Sequence, residues 1–565
     1  MRVPRLSLSS LPAWSRLNNV IFFDTVVFPS GHQNGILTLR PLSSVDIFDL
    51  PTLLEVPKDL LLDRDFLLEV EKVDAHFKQL RELAGGTSIR KDVMLFLLIQ
   101  MTIARNDTIQ CTNCYEEQID CFGLEINENQ GGTGRCRYCT STGLTCVRST
   151  VASQSGADIT VGVRNPWSVY VRYFPEKVPV PTMWKDQERM LLAGTSLEHV
   201  IEAKMSTLTR EFEELREKTI GIPWCHSCWW GLSGSLSLEF SDWVLLDAWF
   251  RSRSLELSNN EQVLVPCLDM ANHSSAANAY WEEISNGDVS LVLKMNLHMA
   301  EGSEVTINYG ESRSDAENLF QYGFIDGSTN TTSVILTLEP MMSDPLRLAK
   351  VAAFKKTAFI RIQGHEDGQI SWESPFLYFS CLTEDDGLAF KTLQEVDGQQ
   401  NSLRVFWQET DVTGSTDEFE RLIAGHKLED VFKLRVVALV LERIQQQLER
   451  LYQNQSTIDG LSADAGIAPE ILHQVVKLRE IEIAVLEVAL GNVHEQQLKL
   501  MELEGVSEYL ESMQGNNPEM MLDDPETNEE DDPETNEEDV MEIDEEDDPE
   551  IDEEDDLETD EDDFS

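Results

Sequence analysis

The chain has 565 residues, with 102 acidic and 44 basic side chains that give a formal net charge of -58. This length is enough for two or three domains of ordinary size. Hydrophobic residues make up 41% of the sequence, which excludes a chain that is disordered throughout and indicates that the charge is concentrated in one segment. The apolar run DVMLFLLIQM has about half of the roughly 20 residues that span a bilayer, so we expect a buried helix and no membrane partner.

Ten Cys residues in a chain of this length are too few for a disulfide scaffold. The N-terminal stretch MRVPRLSLSSLPAWSR contains Arg and Ser and no acid, as transit peptides do, but it lacks the apolar core of a secretion signal. We therefore expect thiols or metal ligands in a reducing compartment, the nucleus or the cytoplasm, with a targeting peptide as the weaker interpretation.

The first segment, residues 11–108, combines strand-like runs with an amphipathic helix. NVIFFDTVVF and GILTLR are typical of strands, and DFLLEVEKVDAHFKQLREL has apolar residues at spacings of three and four. The pattern predicts an α+β arrangement.

Residues 109–150 are rich in Cys and Gly and poor in aliphatic residues, which is typical of an inserted module. Six Cys residues form the pattern C-x2-C-x6-C-x14-C-x2-C-x6-C, and these are Cys111, Cys114, Cys121, Cys136, Cys139 and Cys146. Two half-sites of equal spacing suit tetrahedral zinc bound by thiolates, and the pattern is similar to the fungal binuclear zinc cluster. We expect structural Zn2+, with free thiols as the alternative.

The first half-site of this module, CTNCYEEQIDC, has three acidic residues and no Lys or Arg, whereas DNA-binding clusters are basic where they meet phosphates. Basic residues occur only in the second half, as Arg135, Arg137 and Arg148. We therefore expect a structural or protein-contact role and no direct binding of nucleic acid.

Residues 151–256 contain aromatic-rich segments and the amphipathic stretch SLEHVIEAKMSTLTREFEELREK, which predict a helical subdomain. Within it, WCHSCWWG carries a further C-x-x-C pair, Cys225 and Cys228. A redox role needs a thioredoxin-like context that is absent. We interpret this stretch as a Trp-packed loop, with metal binding as a minor alternative.

The segment 257–330 holds the densest group of candidate functional side chains. The motif LDMANHS places Asn272 and His273 directly after the strand-like run QVLVPC. Some thirty residues later, EGSEVTINYGESRSDAENLFQYGF predicts an alternating strand, a break and a short helix, and it carries Tyr309 and Tyr322. Two tyrosines are thus expected near an Asn-His pair.

In this order, the motifs resemble those of the SET-domain methyltransferases, specifically the branch similar to the plant Rubisco large-subunit lysine methyltransferase. The stretches that carry the resemblance are LLEVPKDLLL, NPWSVYVRYFPEKVPVPTMWKDQERMLLAGTSL, DAWFRSRSLEL, LDMANHS, and NYG with YGF. They cover residues 11–330, and the helical remainder is similar to the family's C-terminal substrate-binding domain. The insert and the spacings suggest a fungal source.

The resemblance implies a knotted, β-rich SET domain in which the Asn-His segment passes under the loop that carries the tyrosines, beside a cleft for S-adenosyl-L-methionine. Carried over residue by residue, Asn272 and His273 contact this cofactor and Arg253 lines its pocket. Tyr309 and Tyr322 are the implied catalytic residues, the first at the methyl-transfer site and the second in the pocket wall. Asp269 is either a structural turn acceptor or a site residue.

One stretch departs from the family pattern, which has Gly-x-Gly where the backbone approaches the cofactor. The matching stretch is SGHQNGIL, with Gln33 in place of the first glycine and Gly35 as the remaining cofactor-binding glycine. A side chain at a close approach narrows the site or reroutes the loop. A catalytically silent SET-fold scaffold protein therefore stays open beside an active enzyme.

Lysine methylation makes chemical sense of these residue types. Methyl transfer from a sulfonium is a direct displacement, so the acceptor amine must be neutral and in line with the breaking bond. A lysine with a pKa of about 10.4 requires roughly 4.6 kcal/mol for deprotonation at pH 7, which a nearby sulfonium and an apolar channel reduce. Tyrosine offers an apolar ring and an uncharged hydroxyl for such a channel. We expect a protein-lysine N-methyltransferase, with histidine methylation as the alternative.

The remainder of the chain divides into two parts. Residues 334–513 contain long periodic stretches that predict an all-α domain, and residues 514–565 include the unit DDPETNEE twice in tandem. From Asp523 onward there are 28 acidic residues and no Lys or Arg, which predicts a disordered tail. Such a tail is solubilising, or it binds a basic, lysine-bearing protein substrate such as a histone or ribosomal protein.

Overall fold

The computed structural model of the chain describes residues 3–30, 33–45, 50–106, 109–111, 148–150, 161–232, 237–257, 261–310, 313–326, 333–338, 341–365, 369–394, 401–460 and 466–515. The chain divides into two units. The first unit comprises Met1–Ser333 and Glu449–Ile483, and the second comprises Val334–Leu448 and Ala484–Ser565. The predicted acidic tail and most of the predicted Cys-rich insert fall outside the described residues.

The first unit contains most of the strands. In chain order they are β1 (Ile21–Phe22), β2 (Thr25–Ser30), β3 (Gln33–Thr38), β4 (Leu42–Ser44), β5 (Thr52–Val56), β6 (Ile109–Cys111), β7 (Arg148–Thr150), β8 (Ser254–Glu256), β9 (Gln262–Leu264), β10 (Asn272–His273), β11 (Ala279–Glu283), β12 (Val289–Leu293), β13 (Leu297–Met299) and β14 (Glu304–Ile307). Two sheets of four strands have the orders β1-β5-β12-β11 and β10-β14-β3-β2. Three further pairs join β4 to β13, β6 to β7 and β8 to β9.

The first of the four-stranded sheets illustrates how burial follows from position. Strand β12 has the sequence VSLVL, pairs with β5 on one side and β11 on the other, and is buried at all five positions. An apolar run of this kind is typical of a strand covered on both faces. The predicted early strand LLEV forms most of β5.

The helices that lie wholly in the first unit are α1 (Leu11–Leu17), α2 (Arg64–Val73), α3 (Ala75–Ala84), α4 (Ile89–Asn106), α5 (Pro166–Tyr170), α6 (Asp186–Arg189), α7 (Leu197–Thr219), α8 (Pro223–Cys225), α9 (Phe240–Arg253) and α10 (Asp315–Tyr322). Asp63 and Asp74 cap α2 and α3 by accepting hydrogen bonds from backbone N–H groups of the first turn. The apolar stretch of α4 is buried in the core, as predicted from DVMLFLLIQM. Among the described helices, none is both long and apolar enough to cross a membrane.

The Trp-rich stretch WCHSCWWG is helical, and its prediction as a loop is wrong. Pro223 begins α8, because a helix tolerates proline in its first turn, and a π-helical turn follows over His226–Trp230. Cys225, Cys228 and Trp229 are buried in the core. No group of three metal-binding side chains occurs among the described residues of the chain, so metal binding by this pair has no support there.

A buried cluster of charges joins four helices of the first unit. Asp247 on α9 is fully buried and contacts Arg90 Nη1 at 2.9 Å, Lys204 Nζ at 3.4 Å and Arg251 Nε at 2.7 Å. Burial alone raises the pKa of the Asp247 carboxyl, but the three cations outweigh it and lower the pKa far below its ordinary value. Arg251 also donates to the Phe320 carbonyl oxygen of α10 at 2.6 Å. The cluster therefore fixes α10 to the helical core.

The second unit is helix-rich, but its prediction as an all-α domain is wrong. Its strands are β15 (Ser333–Thr337), β16 (Phe359–Gly364), β17 (Ile370–Glu373), β18 (Leu388–Gln394), β19 (Asn401–Trp407) and β20 (Thr410–Asp411), and they form sheets of order β15-β16-β17 and β18-β19-β20. Its shorter helices are α11 (Arg347–Phe354), α12 (Pro375–Ser380) and α13 (Phe419–Leu422), and it also contains α16 (Glu504–Gly515). Strands such as β16 are buried at alternate positions, but they are short. The prediction missed them because the long helical periodicity dominates this part of the sequence.

Two long helices, α14 (Glu429–Asp459) and α15 (Pro469–Met501), contribute residues to both units. They correspond to the two periodic stretches that the sequence predicts to be helical. In the first unit, Glu482 of α15 accepts hydrogen bonds from the backbone and hydroxyl of Ser196, which directly precedes α7. Burial raises the pKa of this carboxyl to about 7.

Substitution of Asp247 tests the buried charge cluster. We expect Asp247→Asn to lower the free energy of unfolding of the first unit by about 3–5 kcal/mol, because it leaves three buried cations without their shared anion. Urea unfolding followed by circular dichroism measures the change. The control is Asp65→Asn, an exposed position where a change within about 0.5 kcal/mol is expected. A loss below about 1 kcal/mol for Asp247→Asn would contradict this account.

Candidate active site

The Asn-His pair lies beside the strand that leads to Tyr309. Strand β10 runs parallel to β14, with Asn272 opposite Thr306 and His273 opposite Ile307. On its other side β14 pairs with β3, which carries Gly35. Three segments that are distant in sequence therefore meet in one sheet, and the Asn-His pair, a tyrosine and the glycine strand are brought together.

Asn278 stabilises this arrangement, although no sequence pattern beyond its residue type indicated this role. Its side-chain nitrogen donates to the Glu304 carbonyl oxygen at 2.8 Å, and its side-chain oxygen accepts from the Thr306 N–H at 2.9 Å. The amide thus bonds to β14 as a neighbouring strand would. This contact fixes the loop after the Asn-His pair against β14.

Tyr309 is attached at both ends to the segment that carries the pair. Its backbone N–H donates to His273 Nδ1 at 3.1 Å, and its hydroxyl donates to the Ala271 carbonyl oxygen at 2.8 Å. Burial raises the pKa of Tyr309 well above its ordinary value, and the neighbouring Tyr322 raises it further. The hydroxyl is therefore uncharged at neutral pH.

The hydrogen bond from the Tyr309 N–H to Nδ1 determines the tautomer of His273. A nitrogen that accepts from a backbone N–H carries no proton, so the proton of a neutral ring lies on Nε2. That atom is 3.2 Å from Asp326 Oδ2 and donates to it. Asp326, which sequence reasoning missed, thus orients the histidine ring.

His273, Tyr309, Tyr322 and Phe324 form a contiguous group of rings, the aromatic cluster. The ring centroids of Tyr309 and Tyr322 are 4.5 Å apart, and those of His273 and Phe324 are 5.4 Å apart. Burial raises the pKa of Tyr322, partly offset by the charge of Arg313, so this hydroxyl also stays protonated at neutral pH. The cluster forms an apolar wall that carries two uncharged hydroxyl groups.

Gly323 allows the last two rings of the aromatic cluster to follow one another. It ends α10 with a φ of 83°, and a Cβ there would lie 2.5 Å from the Pro179 carbonyl carbon. Only glycine adopts this conformation without steric cost at so close a contact. The chain can therefore turn directly after Tyr322 and place Phe324 in the cluster.

Arg253, the last residue of α9, is buried and held from one side. Its Nη1 donates to the backbone oxygen of Asp269 at 3.0 Å and to the Asp269 carboxylate at 3.1 Å. Its Nε is buried and has no hydrogen-bond partner among the described residues. Such donors are rare in folded proteins, so this atom is a candidate contact for a ligand acceptor.

Gly35 lies where a side chain cannot be accommodated. A Cβ at this position would be 2.6 Å from Phe28 Cε1 and 2.8 Å from Glu304 Oε1. That same carboxylate oxygen accepts from Asn272 Nδ2 at 2.6 Å. A carboxylate only accepts, so the nitrogen of Asn272 must face it and the carbonyl oxygen faces away. The backbone of Gln33, which stands in place of the first glycine of Gly-x-Gly, pairs with Ser30, so the substituted position is part of strand β3.

The predicted zinc ligands fall outside the described residues, apart from the backbone of Cys111. Strands β6 and β7 pair antiparallel, with Cys111 opposite Arg148. The two ends of the Cys-rich segment are therefore adjacent, as they would be for an insert that leaves the fold and returns at one point.

Substitution of Asn272 by aspartate tests the contact with Glu304. Two adjacent carboxylates repel, so we expect Asn272→Asp to lower the free energy of unfolding by roughly 1–3 kcal/mol at pH 7. A carboxyl whose pKa rises on folding destabilises above its unfolded pKa, so the loss should vanish below about pH 4. Urea unfolding at several pH values measures it. Asn272→Ala is the control, since its effect carries no such pH dependence, and equal pH profiles for both variants would contradict the prediction.

No family model matches the chain. SET domain-containing protein 8 of Schizosaccharomyces pombe is 30% identical over 278 residues, which are 49% of this chain and 61% of that protein. The Rubisco large-subunit N-methyltransferase of Pisum sativum is 28% identical over 216 residues, 35% of this chain and 42% of that protein. The fructose-bisphosphate aldolase lysine N-methyltransferase of Arabidopsis thaliana is 28% identical over 187 residues, 32% of this chain and 37% of that protein. The chain thus spans less than two thirds of the length of each relative.

Solved structures show the same fold over nearly the whole chain. The SET domain of LSMT bound to lysine and AdoHcy has a TM-score of 0.54 and 18% identity, covering 91% of this chain and 96% of that chain. Rubisco LSMT bound to AdoMet has a TM-score of 0.53 and 17% identity, covering 91% and 98%. The predicted resemblance is confirmed: this chain has the SET-domain fold and is similar in sequence to methyltransferases of the Rubisco LSMT-like branch.

Proposed function

We propose that this chain is an S-adenosyl-L-methionine-dependent protein-lysine N-methyltransferase. The observation that carries the proposal is the aromatic cluster, in which Tyr309 and Tyr322 are 4.5 Å apart and Tyr309 is bonded to the Asn-His segment. Two of the relatives are named for N-methyltransferase activity on proteins, and the similar structures hold lysine with AdoHcy, or AdoMet. These names support the reaction class by similarity.

We assign the cofactor site to Gly35, Arg253, Asn272 and His273. When bound, S-adenosyl-L-methionine supplies an activated methyl group on a sulfonium. The Nε of Arg253, which has no partner among the described residues, suits a carboxylate. Gly35 is assigned from the resemblance, and it lies in the strand that pairs with β14. The Asn-His segment is proposed to cross beneath the loop of Tyr309, as in the knotted arrangement that the resemblance implies.

Tyr309 and Tyr322 are assigned to the acceptor side. Their rings limit the approach of water and disfavour the ammonium form of lysine, since burial penalises charge. Their uncharged hydroxyl oxygens can accept a hydrogen bond from the amine and orient its lone pair toward the methyl group. Phe324 extends the same apolar wall. This arrangement requires no dedicated base, because the amine gives its proton to bulk water before it enters the apolar site.

Calorimetric titration of the full chain with S-adenosyl-L-methionine tests the cofactor site. We expect micromolar binding, and we expect Asn272→Ala to weaken it at least about tenfold, because the amide borders the site. The matched control is Asn286→Ala, in an exposed turn of β11 and β12, which should bind as the unsubstituted protein does. No binding at millimolar cofactor would contradict the proposal and favour the silent scaffold.

Activity is measured as production of S-adenosylhomocysteine with lysine-rich proteins, such as histones and ribosomal proteins, as acceptors. Tyr309→Phe keeps the ring and removes the hydroxyl, so the rate should fall at least about tenfold while cofactor affinity changes little. Tyr452→Phe, at a half-exposed position, is the control. Mass spectrometry of the product identifies the methylated side chain. Methylation of histidine alone would contradict the proposed lysine methylation and favour the alternative, histidine methylation.

We further propose that Cys111, Cys114, Cys121, Cys136, Cys139 and Cys146 bind structural zinc, in a module of the type found in fungal proteins. The support is their spacing and the pairing of the strands that flank the segment. Elemental analysis of the full chain should give about two zinc ions per chain, falling to one or none in Cys114→Ser. Cys381→Ser, at a buried cysteine of the second unit, should not change it. Less than one zinc per chain would contradict the proposal.

We also propose that the acidic tail binds a basic protein substrate and raises its local concentration. Opposite charges attract over about 30 Å at an ionic strength of about 0.01 M, and salt of about 0.1 M shortens this range to about 10 Å. Removal of residues 516–565 should raise KM several-fold at low salt, with kcat unchanged, and the difference should disappear at about 0.5 M salt. An unchanged KM at low salt would contradict a role in substrate binding.

A further inference from the structure

A chain of buried hydrogen bonds links α5 to Arg253. Tyr170, the last residue of α5, has no exposed surface. Its hydroxyl is 2.6 Å from the Cys267 backbone nitrogen and 2.6 Å from Asp269 Oδ1. The other carboxylate oxygen of Asp269 accepts from Arg253 Nη1 at 3.1 Å. One hydroxyl from a helix of the aromatic-rich segment thus contacts both ends of the turn that precedes the Asn-His pair.

The direction of each hydrogen bond follows from the groups involved. A backbone N–H only donates, so the Tyr170 hydroxyl accepts from Cys267 and directs its own proton to Asp269. Burial, followed by the charge of Asp269, raises the pKa of Tyr170 well above its ordinary value, so the hydroxyl keeps its proton. Tyr170 is therefore a permanent donor to the carboxylate that holds Arg253.

The turn itself depends on this hydroxyl. Cys267 has a φ of 71°, in the left-handed region that side chains other than glycine rarely adopt. It directly precedes the short 3-10 turn Leu268–Met270, which leads to Asn272. A strained residue persists when its surroundings hold it in place, and here the hydroxyl satisfies its buried N–H. Loss of this contact would leave the Cys267 N–H without its acceptor and Asp269 Oδ1 without this donor.

Arg253 is the group that this network positions toward a ligand. Asp269 engages Nη1 twice, and the face of Phe174 lies 5.2 Å from the guanidinium carbon. The buried Nε has no protein partner among the described residues. The guanidinium is thus oriented from one side, and its Nε stays available to donate to an anion. The cofactor has one anionic group, its carboxylate.

We propose that Tyr170 is a positioning residue of the cofactor site, acting through Asp269 on Arg253. The inference rests on the proposed function, because it requires S-adenosyl-L-methionine to be the ligand of Arg253. It also gives a role to the aromatic-rich segment: the ring of Tyr170 packs against Trp14, Trp167 and Phe174, which fix the place of its hydroxyl.

The test compares two neutral thioether ligands. S-adenosylhomocysteine carries the amino-acid carboxylate, and 5′-methylthioadenosine lacks it. Tyr170→Phe removes only the hydroxyl, so we expect it to weaken S-adenosylhomocysteine about 10- to 100-fold by calorimetry and to change 5′-methylthioadenosine less than about twofold. Asp269→Asn, which keeps the shape of the side chain, should produce the same selective loss.

The matched control is Tyr173→Phe. Tyr173 lies one helical turn further on, and its hydroxyl bonds Ser10 at 2.7 Å rather than Asp269. Both affinities should stay within about twofold in this variant. In an Arg253→Ala background, Tyr170→Phe should have no further effect on S-adenosylhomocysteine, because the group through which it acts is gone.

The outcomes separate this inference from the proposed function. If the unsubstituted protein binds neither S-adenosyl-L-methionine nor S-adenosylhomocysteine, both are overturned. If the unsubstituted protein binds them, three results would overturn the positioning role alone. Tyr170→Phe could leave the affinity for S-adenosylhomocysteine unchanged, or lower the affinities for both thioether ligands equally. Its effect could also add fully to that of Arg253→Ala.

Discussion

The parallel pairing of β10 with β14 is the contact on which the rest of the site depends. Two residues of β10 are enough to place Asn272 and His273 beside the strand that ends at Tyr309. The bond from the Tyr309 N–H to His273 then fixes both the histidine tautomer and the start of the tyrosine loop. Because each group is oriented by a backbone or carboxylate partner, the site is preorganised by the protein.

Charged side chains have different surroundings in the helical core and at the candidate active site. In the helical core Asp247 is shared by three cations, of which Arg90 also contacts Glu211, so the charges are partly compensated within the protein. At the site the rings carry only uncharged hydroxyls, and Arg253 keeps one buried donor. A methyl donor with a positive sulfonium and a lysine that must lose its proton suit a region lined by uncharged rings, although the guanidinium of Arg313 lies 5.7 Å from the Tyr322 ring.

Motif order and periodicity predicted much of the fold of the first unit, because strands and helices leave local patterns. The segments of Gly35, Asn272 and Tyr309 meet in one sheet. What the sequence did not reveal are contacts between side chains far apart in the chain, such as Asp326 with His273. The sheets of the second unit were missed because their short alternating strands lie among long helical repeats.

The parallel pairing also bears on the order of folding. Parallel strands cannot be joined by a tight turn. Here β11, β12 and β13 lie between β10 and β14 in the sequence, and β3, which also pairs with β14, lies near the N-terminus of the chain. Contacts between residues so distant in sequence form late, since the entropy of closing the chain must be overcome before they contribute. A nascent chain that ends before β14 thus contains the residues of α1 to α9 and of the β2–β3 hairpin, but it lacks the strand that pairs with the Asn-His segment.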